Sequence, residues 1–274
     1  MKADLHCHST FSDGVFSPHE LVLLAKKKQL DVAVITDHDS FSGYAELRKS
    51  AQREGLLCIS GIEISSVCED LSVHVLGYAF KDNSQVIFDY EKRSQEARRV
   101  RAKKIIEKLQ ASGISITEEE VFHEEKLGAS IGRPHIARIL VKKNYGKTIH
   151  DIFDKYLGDK KPAYVPSERI STGEAVQLIH QAGGVAVIAH PQLYRNKKNV
   201  LRLLEQYAFD GIEALYCRFR GPEVDFWIRL AEEKKLLVTG GSDFHGEERD
   251  ESFYGCSLAP EQTVRFLLEH MQKR

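Results

Sequence analysis

The chain lacks most of what marks a secreted, membrane-spanning or nucleic-acid-coating protein. Its 274 residues include five cysteines, an odd number with no C-x-x-C pair, which argues against a disulfide framework and against a cysteine-type zinc knuckle. No apolar run approaches the ~20 residues that span a bilayer. The opening MKADLHCHST is polar and lacks the apolar core of a signal sequence. An excess of one charge is also missing. With 39 Lys+Arg against 40 Asp+Glu the net charge is −1, which excludes a non-specific nucleic-acid coat while leaving room for a compact nucleotide site. Internal repeats and low-complexity tracts are absent. These absences predict a soluble protein of a reducing compartment, expected to be cytoplasmic, with no membrane and no protein partner indicated.

What is present is an alternation of short β-branched runs and helical patterns, the signature of βα units and a parallel sheet. Strands are expected near Ala3–His8, Val32–Thr36, Leu57–Ile64, Val73–Phe80, Val185–His190, Gly211–Leu215 and Leu236–Gly240. Ser17-Pro18-His19-Glu20 reads as a helix start, with an N-cap, a proline in the first turn and a Glu three residues after the cap. Gly183-Gly184 ends a helix that begins near Thr172. Seven strands with intervening helices suggest a (β/α) barrel rather than an open sheet. Between about Asp82 and Pro166 the rhythm breaks into a long charged helix near Ser84–Gln110 and shorter helical patterns at Arg133–Asn144 and Thr148–Leu157. The expected architecture is therefore α/β: a distorted (β/α)7 barrel from 1–82 and 166–274, with a helical insert domain at 83–165 that contributes to substrate binding.

Of twelve histidines, His6, His8, His38, His190 and His245 sit at or just past the C-terminal end of an expected strand, and His74 near the start of one. Barrels gather such ends at one mouth, where their active sites are built. His6 and His8 are two apart on an extended segment, so both point to one side about 7 Å apart. Asp13, Asp37, Asp39, Glu63 and Asp243 follow the same distribution. A carboxylate at the end of a buried strand is costly unless a cation compensates it. Mixed imidazole and carboxylate suits Zn²⁺, Mn²⁺ or Fe²⁺ rather than the oxygen-only shells of Ca²⁺ or Mg²⁺. Nine candidate ligands exceed the needs of one ion, so two or three are implied. His19, His123, His150, His180 and His270 read as ordinary surface or core histidines.

DLHCHSTFSDG, ITDHDS, GIEIS, HVLGY, IAHP and GSDFHG, in this order, resemble the successive motifs of the PHP (polymerase and histidinol phosphatase) family of metal-dependent phosphoesterases. The resemblance implies a distorted seven-stranded barrel with a trinuclear site, with Mn²⁺ as the expected metal and Zn²⁺ or Fe²⁺ as the alternatives. It implies that His6, His8, Glu63 and Asp243 hold one ion. Glu63 would bridge to a second ion held by His74 and His190, and Asp13, His38 and His245 would hold a third. Asp37 matches no ligand position and reads as a residue that orients a ligating imidazole. Cys7 points to the opposite side of its strand and reads as a core thiol.

GASIGRPHIARILV (Gly128–Val141) looks like a helix start, with Arg133 and His135 in a first turn whose free N–H groups and dipole attract anions. A guanidinium adds a bidentate fork suited to phosphate. This stretch, with a KPAYVP-like segment at Lys161–Pro166, is similar to the PHP branch of 3',5'-nucleoside bisphosphate phosphatases that also trim short 5'-phosphorylated RNA as 5'-3' exoribonucleases. In that branch Arg133 and His135 match residues that contact the substrate phosphate, and Lys161 and Tyr164 are further candidates. The resemblance implies hydrolysis by a metal-activated hydroxide, with Glu63, Arg133 and His135 as catalytic residues and His135 as the candidate general acid. Histidinol-phosphate phosphatase and a non-catalytic metal-binding scaffold are the rival readings.

Overall fold

Helix starts are where local sequence rules most strongly, and Ser17 shows it: its hydroxyl accepts from the Glu20 N–H while the Glu20 carboxylate accepts from Ser17 N, a capping box that opens α1 (Pro18–Lys27). The same box, Ser171 with Glu174, opens α7 (Thr172–Gln181). The computed structural model describes residues 1–123, 129–246 and 250–273. After α1 come β1 (Val32–Ala33), α2 (Tyr44–Glu54), β2 (Leu57–Cys58), β3 (Gly61–Cys68), β4 (Leu71–Tyr78) and a long α3 (Gln85–Ala111). Short helices follow, α4 (Glu118–Phe122), α5 (Arg133–Lys142) and α6 (Ile149–Ile152), the last running into a π-helical turn at Phe153–Leu157. Then come β5 (Ile170–Ser171), α7, β6 (Val185–Ile188), α8 (Lys197–Gln206), β7 (Gly211–Tyr216), α9 (Pro222–Lys234), β8 (Leu237–Gly241) and α10 (Glu261–Gln272). Gly128, which opens the GASIGRPHIARILV stretch, lies outside the described residues.

The sheet is mixed, which corrects the all-parallel expectation. Its order is β5-β3-β4-β6-β7-β8, with β1 and β2 paired separately. β4 runs antiparallel to both β3 and β6, while β3–β5, β6–β7 and β7–β8 are parallel. Two residues, Glu69 and Asp70, separate β3 from β4, too short a link for the crossover helix that a parallel pair needs. The expected strand at Leu57–Ile64 is broken into β2 and β3. The expected strand at Ala3–His8 has only a bridge from Cys7 to Phe244. It is nonetheless held on both sides: Leu5 N donates to Gly240 O (3.1 Å) and His8 N to Phe244 O (2.8 Å), while Thr36 N donates to Cys7 O (2.8 Å). β8 passes close against this segment. A Cβ on Gly241 would stand 2.3 Å from the His6 Cβ, so only glycine passes.

Apolar side chains form three clusters. One packs α1, α2, α7 and α9 on the sheet through Leu21, Leu47, Ile179 and Trp227. Another holds Leu5, Val34, Leu76, Tyr78 and Val187. A third is confined to residues 102–163, with Ile105, Leu109, Ile136, Leu140 and Ile152 at its centre. Each such burial stabilises by about 1.5–3 kcal/mol. Among the described residues between 83 and 165 there is no strand.

The cysteine arithmetic misled at one point. Cys217 and Cys256, with Cα atoms 5.7 Å apart, are joined by a disulfide, and Cys7, Cys58 and Cys68 are free. A separation of 39 residues says nothing about proximity until β7 and the loop beyond β8 lie side by side. No described helix is long and apolar enough to cross a membrane.

Candidate metal centre

The segments that carry the histidines converge on Glu63. This carboxylate is wholly buried on β3, where a charge with no compensation would be very costly. Five imidazoles surround it: His38 Nδ1 and His74 Nδ1 at 2.8 Å, His190 Nε2 at 3.2 Å, His8 Nε2 at 3.3 Å and His6 Nε2 at 3.5 Å. Burial alone would push Glu63 up, but His38, His74 and His6 outweigh it and hold the carboxyl well below its usual range. Asp243 stands 3.2 Å from His8 Nε2 and 3.4 Å from His6 Nε2, and Asp13 Oδ1 3.2 Å from His245 Nε2. Burial lowers His245, yet Asp13 and Asp243 push it up to about 10.

Among the described residues, donor atoms within 4.8 Å of one another fall into three groups: His6, His8, Glu63 and Asp243; His8, Asp13, His38 and His245; and His38, Glu63 and His74. His190 stands outside these groups and meets the array through Glu63. Among the described residues, hydrogen bonding leaves His6 Nε2, His38 Nδ1, His190 Nδ1, Asp13 Oδ1 and Glu63 Oε2 buried with no partner. His38 Nδ1 and Glu63 Oε2 lie 2.8 Å apart without hydrogen-bond alignment, as lone pairs do when they face a common cation. An orphaned buried polar atom costs about 1–3 kcal/mol. Nitrogen and carboxylate oxygen in these proportions fit a borderline divalent transition metal.

A surrounding layer fixes these donors. His6 Nδ1 meets the Glu213 carboxylate at 2.9 and 3.1 Å, which leaves Nε2 facing Glu63. Glu213 also accepts from the His190 N–H at 2.7 Å. His190 has φ 29°, a left-handed conformation that a non-glycine residue keeps only when its surroundings enforce it. Tyr216 donates to Asp243 Oδ2 at 2.9 Å, and His245 Nδ1 donates to the Asp243 carbonyl at 2.9 Å. Asp37 does not touch an imidazole, contrary to expectation. It accepts from Ser9 N and from the hydroxyls of Ser9 and Ser12, and only Ser12 reaches His8, at 3.4 Å. Asp39 is taken up by Arg98, Tyr90 and the Ser65 N–H.

Glu213, Asp4 and Tyr216 escaped sequence reading. Asp4 is buried and accepts from Ser242 N, Gly255 N and His6 N. The available signal was an acidic residue inside an apolar strand, GIEALY for Glu213 and ADLH for Asp4. Removing such an outer partner typically costs 10–100-fold in metal affinity. Glu213→Ala is therefore expected to weaken divalent-ion affinity by about that factor in a chelator-competition titration, with Glu213→Gln intermediate because it keeps an acceptor. Unchanged affinity in both variants would mean that His6 needs no such support.

Of the residues proposed for substrate, His135 comes near this array, within reach of the Asp13 charge. α5 leans on the loop that carries Asp13: Ser130 N donates to Phe11 O at 2.8 Å and the Arg138 guanidinium donates to Asp13 O. His135, in the first turn of α5, accepts from the Gly132 N–H at 3.1 Å. Burial holds it below its ordinary value, against the pull of Asp13. Arg133 donates to Leu157 O at 3.0 Å and to Asp159 at 3.2 Å, with Tyr164 5.9 Å from its guanidinium carbon. Tyr164 is half-buried and Lys161 is exposed.

The sequence matches the family model described as "PHP domain" over residues 4–234, a span that stops short of Asp243 and His245. The chain is 35% identical over 250 residues to a 5'-3' exoribonuclease of Haemophilus influenzae, covering 89% of this chain and 90% of that protein. It is 31% identical over 246 residues to a 3',5'-nucleoside bisphosphate phosphatase of Chromobacterium violaceum, covering 88% and 86%. A solved structure from Bifidobacterium adolescentis, described as a metal-dependent phosphoesterase, superposes with a TM-score of 0.88 at 34% identity, covering 97% of this chain and 95% of that one. A carboxylate ringed by imidazoles, a family match along most of the length and relatives a third identical lead to one conclusion: the chain belongs to the PHP domain family.

Proposed function

We propose that this protein is a metal-dependent phosphoesterase that hydrolyses nucleotide phosphate esters, as a 3',5'-nucleoside bisphosphate 3'-phosphatase, a 5'-3' exoribonuclease on short RNA, or both. The observation that carries the reading is Glu63 within 3.5 Å of five imidazoles while several donor atoms remain orphaned. The names of the similar proteins supply the substrate class. In this reading His6, His8, Glu63 and Asp243 hold one divalent ion, Asp13, His38 and His245 another, and Glu63, His74 and His190 a third. Such ions, Mn²⁺ by preference, supply Lewis-acid charge to phosphoryl oxygens and acidify water near neutral pH.

The fold reading that goes with it is a distorted (β/α)7 barrel with 83–165 as a helical insert. It is supported by the bonds that tie the segment at 3–8 to both its neighbours and by the separate apolar cluster of residues 102–163. His135 serves as a neutral donor rather than as a stored proton. Its depressed pKa keeps the ring uncharged, and acceptance by Nδ1 from Gly132 leaves the proton on Nε2. Arg133 contacts a substrate phosphate.

Arg133→Ala is expected to leave metal stoichiometry intact and to lower kcat/KM for bisphosphate substrates about 10- to 150-fold, the worth of one charge-assisted contact. A smaller loss with p-nitrophenyl phosphate would put Arg133 on the phosphate that does not react. Normal turnover of both substrates would reduce Arg133 to a tie between α5 and the 157–159 loop. The overall reading is tested by phosphate and nucleotide release from 3',5'-bisphosphates, 5'-phosphorylated oligoribonucleotides and histidinol phosphate with added Mn²⁺. Turnover of histidinol phosphate alone would overturn the nucleotide assignment, and turnover of none would favour a scaffold.

A further inference from the structure

The disulfide between Cys217 and Cys256 fastens together two segments that support the metal array. Cys217 is the residue after β7, and Cys256 lies in the loop between β8 and α10. Tyr216, beside Cys217, donates to Asp243 Oδ2 at 2.9 Å, and its ring lies 6.0 Å from that of His190. Gly255, beside Cys256, donates its N–H to Asp4 Oδ2 at 2.9 Å. Asp4 in turn accepts from Ser242 N at 2.9 Å and from His6 N at 3.2 Å. Tyr254 donates to the Cys7 thiol, between His6 and His8 in the chain. Its ring packs 5.3 Å from that of Phe244, between Asp243 and His245. One covalent bond therefore joins the β7 support of Asp243 to the turn that backs His6, His8 and Asp243.

The bond is open to reagents. Cys256 is exposed and Cys217 half-buried. The remaining thiols are poor exchange partners, because the thiolate is the attacking species. Cys7 and Cys68 are buried, and burial pushes the Cys58 thiol up to about 12. Redox chemistry is thus confined to one pair. In a reducing compartment, the setting expected for this chain, disulfides that do form are mostly catalytic or redox-sensing. Neither sulfur belongs to a donor group of the array, so the pair acts on it through Tyr216 and the 254–255 turn. Partners of this outer kind typically set metal affinity within a factor of about 10–100.

We propose that the Cys217–Cys256 pair is a redox switch of metal affinity. The disulfide holds Tyr216 and the 254–255 turn where they orient Asp243 and His6, and reduction releases both. The inference rests on the metal-centre reading and is independent of which phosphate ester is hydrolysed. The reductant is a dithiol. One of its thiolates attacks the Cys256 sulfur, the S–S bond breaks, and the Cys217 sulfur leaves as a thiolate that takes up a proton. The second thiolate of the reductant then displaces Cys256 from the mixed disulfide. Two electrons and two protons enter the protein, and the reductant leaves as its own disulfide. Coupling of this kind is reciprocal: an ion that binds the oxidised form more tightly makes the disulfide harder to reduce by the same factor.

The test measures Mn²⁺ affinity by chelator competition in protein treated with oxidised glutathione and in protein reduced with dithiothreitol, each desalted under nitrogen. Alkylation in denaturant, followed by mass analysis, establishes whether Cys217 and Cys256 are bonded or free in each sample. Reduction is expected to weaken affinity about 10- to 100-fold. Cys256→Ser and Cys217→Ser should bind like the reduced wild type and respond to neither reagent, and either serves if the other fails to fold. In glutathione buffers the midpoint of the disulfide should fall by about 30–60 mV when Mn²⁺ is bound. That shift is the same 10- to 100-fold, converted at about 30 mV per tenfold for a two-electron couple. Equal affinity in the two states with an unmoved midpoint would make the bond a structural staple and overturn the inference, leaving the metal reading intact. A pair that stays reduced in oxidised glutathione would overturn it as well. A wild type that binds no ion in either state removes both readings.

Discussion

Glu63→Gln should lower kcat by at least ~100-fold, the scale of a lost electrostatic contact in a reacting centre. The amide keeps the shape of the side chain but not its charge, and it places an N–H₂ group among five imidazole nitrogens that now face a carboxylate. Two unit charges about 4 Å apart interact by about 4 kcal/mol at an effective dielectric of about 20. Cations held close together without the shared carboxylate would therefore repel strongly. Steady-state kinetics at saturating Mn²⁺, with elemental analysis of the variant, make the measurement. A variant within a few-fold of wild type would show that Glu63 does not bridge two ions.

Chelation should abolish activity entirely. The purified protein is expected to contain two to three equivalents of transition metal, and Mn²⁺ should be among the ions that restore turnover. Restoration should also raise the thermal midpoint, because an ion that binds only the folded chain stabilises it by about 2.7 kcal/mol at 100 times its dissociation constant. Part of that gain comes from the orphaned atoms of His6, His38, His190, Asp13 and Glu63, which have no hydrogen-bond partner among the described residues. A fully active metal-free preparation would overturn the metal reading.

Much of this was legible before any coordinates. The capping boxes at Ser17 and Ser171 are set by residues three apart, and hydrogen bonds that local form alike in peptides and in proteins. The long α3 begins one residue inside its expected start, with Ser84 as N-cap. His6 and His8 share a side because extended backbone alternates, and HCH, TDHDS, GIEIS, IAHP and GSDFHG announce a metal chemistry by residue type and position. The PHP resemblance rests on the same motifs.

Other features depend on partners that sequence spacing does not reveal. Whether β4 runs with or against its neighbours follows from a two-residue link and from which edges remain free, so alternation of apolar residues could not distinguish the two. Cys217 and Cys256 pair across 39 residues. Glu213 meets His6 across 207, and the left-handed turn at His190 is held by that same carboxylate. Arg98 and Arg101 come under the influence of Arg133 and Arg169 only when α3, α5 and the approach to β5 are packed together. The sequence by itself determined the elements and the chemical character of the site, because propensity, capping and donor type act within a few residues. Only the tertiary structure decided which donors meet, which are left without partners and where uncompensated charge collects, because those outcomes depend on through-space contacts between segments far apart in the chain.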